Sequence, residues 1–381
     1  MSSRLRLLYP LVVLVALLAF AAAASAGSTS PKETSLEVVA SGLDNPRGLD
    51  ISRSGSLYVA EAGRGGTEAC VPSPEGEGEA CIGDTGAVTK VWRGGQRRVA
   101  TGLPSVAGPD GSAATGPHDI YLAYGGGYIP VGLAGDTDTR ATFGPLGAGL
   151  GQLHRLSSSG RRVYPIADLA AFEQSENPDG GVPDSNPYSV TSLWGKLVVA
   201  DAGGNDLVGV SRRSGLRTLA TFPDRLVPAP PGIPDLPPEL PMQAVPTSVV
   251  VGPDGALYVG QLTGFPFPKG GANVYRVEPG EEPEVYAEGF TNIIDIAFDR
   301  RGNLYVLEIA TDGLLAAGEM ELPKGALHRV SRKGTTELVI SEGLEAPGGL
   351  AISRHGDIFV TNRSILPGAG EVVRVKRDHK H

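Results

Sequence analysis

A short pattern recurs along this chain: a glycine turn, then an apolar triplet such as Leu-Tyr-Val, then a polar side chain after one further residue. Clear copies begin at Gly55, Gly195, Gly255, Gly302 and Gly356, and a degenerate sixth copy begins at Gly127. No helical pattern separates the copies. A repeated strand unit of this kind is typical of a radial array of four-stranded sheets. The sequence therefore predicts an all-β fold, a six-bladed β-propeller with four-stranded antiparallel blades.

Each copy fits the second strand of a blade, with alternating or β-branched segments as the other strands. This assignment places the blades at about 44–103, 116–170, 186–222, 245–290, 291–340 and 344–377. The last blade lacks a fourth strand. Residues 36–43 match the fourth-strand segment 338–344 of the preceding blade. We therefore expect 36–43 to complete the last blade, which closes the ring and removes its open sheet edges.

Residues 1–26 have the features of a secretory signal peptide. Arg4 and Arg6 precede an apolar run over 7–20, and Ala24-Ser25-Ala26 fits a cleavage site. A membrane anchor is the alternative, but the apolar run is short and breaks into alanines. We predict cleavage near Ala26, a single propeller domain over 27–381, and a secreted or cell-envelope protein without a membrane span after cleavage.

The charge of the chain excludes one class of partner. The formal net charge is −9, and loss of Arg4 and Arg6 with the signal peptide changes it to −11. Nucleic-acid binding needs a basic face, which an acidic domain does not offer. We expect a monomer whose partner is a small ligand or an extracellular protein.

The two cysteines of the chain, Cys70 and Cys81, lie in one predicted loop of the first blade. In an exported protein, an isolated pair of neighbouring cysteines indicates a disulfide. A metal site is the weaker interpretation, because the segment between them has no His or further Cys. We predict that the two residues are bonded.

The connections between strands are unequal on the two faces of the predicted propeller. Turns between first and second strands, and between third and fourth strands, are short. The other connections are long: 63–85, 104–115, 133–149, 171–185, 223–244, 262–271 and 309–325. Loops on a rigid scaffold commonly carry function, so we predict a binding surface on the loop-bearing face. The alternative is that these loops only cap the propeller. We expect the proline-rich run 228–241 to be a polyproline linker over the surface.

Polar residues recur at strand ends on the loop-bearing face, around the predicted mouth of the central channel. The candidate binding residues there are Arg47, Glu61, His118, Asp119, Tyr188, Asp201, Asn205, Gln261, Asp295, Glu308 and Asn362. Converging carboxylates suit Ca²⁺, which prefers oxygen ligands. The candidate metal ligands are Glu61, Asp119, Asp201, Asp295 and Glu308. The same groups could serve acid–base chemistry or bind a cationic ligand. They could also cap loop backbone or bind channel water, with Arg47 neutralising Glu61.

Several segments resemble the ScyD/ScyE family. They include Gly-Pro-His-Asp-Ile at 116–120, Asp-Ala-Gly-Gly-Asn-Asp-Leu at 201–207, Leu-Thr-Gly-Phe-Pro-Phe-Pro at 262–268 and Gly-Phe-Thr-Asn-Ile-Ile-Asp at 289–295. The resemblance implies an exported bacterial propeller related in fold to NHL-repeat proteins. The family is named after genes clustered with biosynthesis of the pigment scytonemin, and the resemblance implies no established reaction. The family pattern has Glu where this chain has Gln261, so the predicted ring has one carboxylate fewer.

Two classes of function follow. One is a ligand-binding or scaffold protein that uses the loop-bearing face. The other is a Ca²⁺-assisted propeller enzyme, a lactonase-like hydrolase or a lyase, which fold analogy alone supports. The sequence contains no His-Glu-x-x-His, no Gly-x-Ser-x-Gly and no phosphate-binding glycine loop. A bound divalent ion at the channel mouth would favour the enzyme, whereas a broad apolar loop surface would favour binding.

Overall fold

The computed structural model describes residues 34–72, 78–123, 125–158, 160, 162–234, 236–316 and 321–377. The predicted signal peptide lies outside these residues. Six antiparallel sheets form a six-bladed β-propeller, which confirms the predicted fold class. No helix in this part of the chain has the length and apolar character needed to cross a membrane.

The N-terminal strand, β1 (Thr34–Leu43), belongs to the last blade. The strands after it form the first three blades in chain order. The first blade contains β2 (Pro46–Ile51), β3 (Leu57–Glu61), β4 (Cys70–Pro72), β5 (Glu79–Trp92) and β6 (Gly95–Ala107). The second contains β7 (Tyr121–Ala123), β8 (Gly126–Val131), β9 (Gln152–Ser157) and β10 (Val163–Asp168). The third contains β11 (Pro187–Leu193), β12 (Lys196–Asp201), β13 (Asp206–Ser211) and β14 (Gly215–Thr221).

The remaining strands form a separate ribbon and three further blades. The ribbon is β15 (Arg225–Pro228) and β16 (Glu239–Met242). The fourth blade contains β17 (Pro246–Val251), β18 (Leu257–Gln261), β19 (Ala272–Val277) and β20 (Glu284–Phe290). The fifth contains β21 (Ile293–Phe298), β22 (Leu304–Glu308), β23 (Ala326–Val330) and β24 (Thr336–Ile340). The sixth contains β25 (Gly349–Ile352), β26 (Ile358–Asn362) and β27 (Gly370–Arg377).

The N-terminal strand closes the ring as the sequence predicts. β1 pairs antiparallel with β27, with Leu36 opposite Val375 and Ser41 opposite Glu371. Leu43 at the end of β1 is 1% exposed and packs in an apolar cluster that contains residues of the first and last blades. Closure therefore joins the two ends of the folded chain through both hydrogen bonds and core packing.

The loop-bearing face contains short helices that the sequence analysis did not predict. They are α1 (Thr137–Thr142), α2 (Gly144–Gly147), α3 (Leu169–Glu176) and a 3₁₀ turn at Leu314–Ala316. The carboxylates of Asp136 and Asp168 accept hydrogen bonds from backbone N–H groups in the first turns of α1 and α3. These two N-caps start helices that are too short to show a clear apolar periodicity.

Neighbouring long loops bond to one another, which places them on one face. An isolated β-bridge joins Gly135 to Ser185, and the Ala113 N–H donates to the Ile365 carbonyl at 3.0 Å. The ends of the proline-rich loop pair as the β15–β16 ribbon, so the predicted polyproline linker is wrong for these ends. The predicted disulfide between Cys70 and Cys81 is present and joins β4 to β5.

Candidate functional site

In four of the six blades, a polar residue at the end of the second strand caps the chain that enters the first strand. Each of these residues accepts a hydrogen bond from a backbone N–H that lies one to four residues before the first strand. The pairs are Glu61 with Asp44 at 2.8 Å, Asp201 with Asn186 at 2.6 Å, Glu308 with Thr291 at 2.7 Å and Asn362 with Glu345 at 2.8 Å. Gln261 differs, because its amide donates to the Ala244 carbonyl at 3.3 Å. The repeated polar residue is thus a structural feature of the blade.

Glu61 is neutralised by a residue that the sequence analysis did not single out. The guanidinium of Arg98 lies 2.8 Å from Glu61 and 2.6 Å from Asp44, and Arg64 also pairs with Asp44. Burial raises the pKa of Asp44, but the hydrogen bonds and charges of both arginines outweigh it, so the pKa is lowered. The predicted pairing of Glu61 with Arg47 is therefore replaced by pairing with Arg98, which β6 supplies from the outer edge of the blade.

Three carboxylates on or just before the innermost strands join consecutive blades. Asp50 accepts from the Leu122 N–H at 2.7 Å, Asp119 from the Val190 N–H at 3.1 Å, and Asp295 from the Leu350 N–H at 2.6 Å. Each also accepts from the N–H of the residue that follows it. Asp50 was not among the predicted site residues, although a carboxylate in an apolar innermost strand is a detectable signal. These carboxylates stabilise the ring of blades.

Burial disfavours ionisation of the carboxyl groups of Asp119 and Asp295. Burial, opposed by its hydrogen bonds, raises the pKa of Asp119 to about 6. Burial raises the pKa of Asp295 well above its ordinary value, and the negative charge of Asp119 adds to the effect. Ionisation of one group therefore disfavours ionisation of the other.

The five predicted metal ligands all have hydrogen-bond partners within the protein. Their oxygens are engaged by backbone N–H groups, hydroxyls, Arg98 or His328. Among the described residues, no group of three or more His, Cys, Asp or Glu side chains is arranged to hold a metal ion. Each carboxylate bonds within its own blade or to the next one, and the Ca²⁺ site at the channel mouth stays a prediction.

Gln261 stands where the sequence analysis expects Glu, and its neutral amide is held by hydrogen bonds to neighbouring groups. Its carbonyl oxygen accepts from the backbone N–H of Asn273 at 3.0 Å and from Arg225 at 3.2 Å. Arg225 begins the β15–β16 ribbon and also donates to the Gly271 carbonyl. A neutral amide at position 261 thus anchors the ribbon against the fourth blade.

Arg47, His118 and Tyr188 come together at the channel mouth. The rings of His118 and Tyr188 are stacked with centroids 4.4 Å apart. The Arg47 guanidinium donates to the Ala114 carbonyl at 2.8 Å, while its buried Nε has no partner among the described groups. Burial, and then the charge of Arg47, lowers the pKa of His118 to about 3, so the imidazole is neutral at pH 7. The mouth offers a cation, a neutral imidazole and a phenol.

Asn205 lies with Asp201 in the third blade, apart from this trio. Its amide donates to Asp179 at 3.1 Å, and its carbonyl oxygen accepts from the Val245 N–H at 3.0 Å. Asp201 accepts from Ser185 at 2.6 Å. The sequence analysis did not identify the further acidic residues around Asp201, because they lie in a loop and at a third-strand start outside the repeated pattern.

A cleft of about 410 Å³ opens among the loops of the first two blades. Apolar residues from both blades line it, and two threonines of α1 lie at its side. The lining includes Val71, Ala80, Leu133, Phe143, Thr139 and Thr142. β4 and β5 form one wall, so the disulfide holds the two strands of that wall together.

No protein-family model and no curated protein sequence matches this chain. Solved structures with the same architecture are numerous. An oxidoreductase (glucose dehydrogenase) from Thermus thermophilus is 17% identical, with a TM-score of 0.52, covering 90% of this chain and 100% of its own. The PQQ-bound aldose sugar dehydrogenase from Streptomyces coelicolor is 13% identical, with a TM-score of 0.51, covering 91% and 99%.

A third similar structure is described as a gluconolactonase. It is 10% identical, with a TM-score of 0.50, covering 92% of this chain and 96% of its own. At such low identities the likeness shows the propeller fold and carries no residue role to this chain.

Proposed function

We propose that this chain is an exported, ligand-binding propeller of the ScyD/ScyE type, and that its loop-bearing face binds a small, largely apolar molecule. The observation that carries the proposal is the cleft between the loops of the first two blades. Its volume of about 410 Å³ lies in the range of small-molecule sites, which are apolar with a few polar groups. The hydroxyls of Thr139 and Thr142 supply hydrogen-bonding groups at one side.

The cleft can be tested with N-phenyl-1-naphthylamine, an apolar dye whose fluorescence rises on binding. Thr142→Trp places a large side chain in the cleft from an exposed position of α1. Asp138→Trp is the matched control, because Asp138 is exposed on the same helix and does not line the cleft. We expect saturable binding by the wild type, unchanged binding by Asp138→Trp, and at least about tenfold weaker binding by Thr142→Trp. Equal binding by all three proteins would refute the proposal.

The channel mouth favours a second candidate function, the hydrolase or lyase. Arg47 has an unpartnered Nε–H donor that could stabilise an oxyanion, and the neutral imidazole of His118 lies beside it as a hydrogen-bonding group. A Ca²⁺-assisted form would need a cation at the axis, where the carboxylates are already hydrogen-bonded. A panel of lactones and esters tests this candidate: turnover by the wild type should be lost in Arg47→Met and His118→Gln. Absence of turnover, or turnover that both variants retain, would reject it.

A further inference from the structure

Five carboxyl groups gather beside the third blade, away from the innermost strands. Glu173 lies on α3, Asp179 and Asp184 follow it in the loop, and Asp201 and Asp206 end β12 and begin β13. Asp201 and Asp206 are directly opposed partners across the hairpin, an arrangement in which like charges repel. The acidic cluster is defined by these five residues.

Several oxygens of the acidic cluster are buried without a hydrogen-bond partner in the part of the chain that the structure describes. They are both carboxylate oxygens of Asp206, Oε1 of Glu173 and Oδ1 of Asp184. Asp206 is 1% exposed and Glu173 is 3% exposed. No described Lys, Arg or His forms an ion pair with any member. Buried carboxyl groups without partners are costly, so a positive charge would stabilise this cluster.

The carboxyl groups also act on one another. Burial raises the pKa of Glu173 to about 7 and that of Asp184 to about 6, and the charges of neighbouring members contribute to both shifts. Burial raises the pKa of Asp206 well above its ordinary value, with contributions from Asp201, Glu173 and Asp179. Asp206 lies opposite Asp201 across the hairpin, and Glu173 reaches the same hairpin at Gly204, so the carboxyl groups are neighbours in space.

The glycine turn of the hairpin lets α3 and its loop approach this closely. A Cβ on Gly204 would lie 2.9 Å from Glu173 Oε2, and a Cβ on Gly203 would lie 2.9 Å from Asp184 Oδ1. A Cβ on Gly203 would also lie 2.8 Å from the Asp184 backbone oxygen, so the turn needs glycine at that position, whereas the flexible Glu173 side chain can move away from a Cβ on Gly204. The turn therefore brings carboxylates from two separate segments against one hairpin.

Asp201 has a different part in this arrangement. Its Oδ1 accepts from the N–H groups of Asn186, Gly203 and Gly204, and its Oδ2 accepts from Ser185. With both oxygens engaged, Asp201 is a positioning residue that shapes the glycine turn. The free oxygens belong to Glu173, Asp184 and Asp206.

We propose that Glu173, Asp184 and Asp206 form a binding site for a hard divalent cation of the Ca²⁺ type. Ca²⁺ takes six to eight oxygen ligands, and carboxylates supply both the oxygens and the compensating charge. In the structure these three side chains do not yet surround a common point. Binding therefore requires rotation of the unpartnered side chains, whereas Asp201 remains held by backbone N–H groups. The half-buried Asp179 borders the exposed Gly180 in the same loop, and Asp184 is itself half-buried.

The test uses the full-length mature protein, stripped with EDTA and dialysed, in thermal unfolding and calorimetric titration with CaCl₂. We expect about 1 mM Ca²⁺ to raise the Tm by about 4 °C, with one ion bound per chain. Glu173→Gln and Asp206→Asn should each bind Ca²⁺ at least about tenfold more weakly. Glu176→Gln should bind as the wild type does, because Glu176 is exposed on the same helix.

The apo proteins provide the control for folding. In EDTA, Asp206→Asn should be at least as stable as the wild type, because the change removes an unpaired buried acid. A variant that is as stable in EDTA but loses the Ca²⁺ response supports the site. The proposal is overturned if Ca²⁺ binds no more tightly to the wild type than to both variants. It is also overturned if NaCl at the same ionic strength reproduces the shift in Tm.

Discussion

The closing strand offers the sharpest test of the propeller ring. Leu43 and Val38 lie on the same strand, β1, but Leu43 is 1% exposed whereas Val38 is 53% exposed. Leu43 packs with Leu49 and Leu57 of the first blade and Val372 of the last. Leu43→Ala should therefore weaken the contact between the two ends of the chain, and Val38→Ala should not.

The size of the effect follows from burial. Replacing a fully buried leucine by alanine costs about 2–5 kcal/mol, the sum of lost transfer free energy and a residual cavity. We take about 3 kcal/mol, because the site lies where two blades meet. For a folded body of this size the unfolding entropy is about 0.7 kcal/mol/K, so the Tm should fall by about 4 °C. The exposed Val38→Ala should change the free energy of unfolding by less than about 0.5 kcal/mol.

Urea unfolding followed by far-UV circular dichroism measures the two changes. Both Trp92 and Trp194 are exposed, which makes tryptophan fluorescence a poor reporter of this core. A lower midpoint with an unchanged slope for Leu43→Ala is the expected result. If Leu43→Ala unfolds at the same urea concentration as Val38→Ala, the closing strand does not contribute as the structure indicates. A chain that begins at Asp44 should aggregate or melt early for the same reason.

Two further predictions concern the first blade. Thiol titration of the denatured, unreduced protein should find no free thiol and two after reduction, and two free thiols before reduction would contradict the disulfide. Arg98→Ala should lower the free energy of unfolding by about 2–3 kcal/mol, less than for a fully buried pair because Arg98 is 40% exposed, while Arg97→Ala should have little effect. The pKa of Asp44 is lowered in the folded protein, so its contribution is present above pH 3.8 and lost as the pH falls through the folded value. The loss caused by Arg98→Ala should therefore shrink in acid; a loss that is equal at pH 7 and pH 3 would exclude the ion pair as its cause.

The fold could be predicted from the sequence because its signal is local and repeated. The glycine turn, the apolar triplet and the polar residue recur along the chain. A pattern that is weak in one copy is therefore supported by the other copies. The match of 36–43 to a fourth strand predicted closure, and Leu36 does lie opposite Val375. The sequence analysis did not predict the helices of the loop-bearing face. Each of α1 and α3 begins at a single N-cap residue, Asp136 or Asp168, which is too weak a signal by itself.

The candidate site was less predictable, because the role of a carboxylate depends on what surrounds it. Glu61 and Glu308 occupy the predicted repeat positions, yet both are bonded to backbone N–H groups of their own blades. Asp206 carries no repeat signal, yet both of its carboxylate oxygens are buried without a hydrogen-bond partner among the described groups.

The sequence by itself determined the number of blades, the second strand of each, the closing strand and the cysteine pair. The blades and strands follow from strand periodicity and turn residues, and the cysteine pair follows because the chain contains two cysteines. Tertiary structure alone decided that Arg98 rather than Arg47 neutralises Glu61. It also decided that α3 brings Glu173 beside a hairpin that lies well beyond it along the chain. The physical reason is that hydrogen-bond satisfaction and charge pairing are properties of three-dimensional neighbours, which a one-dimensional repeat does not specify.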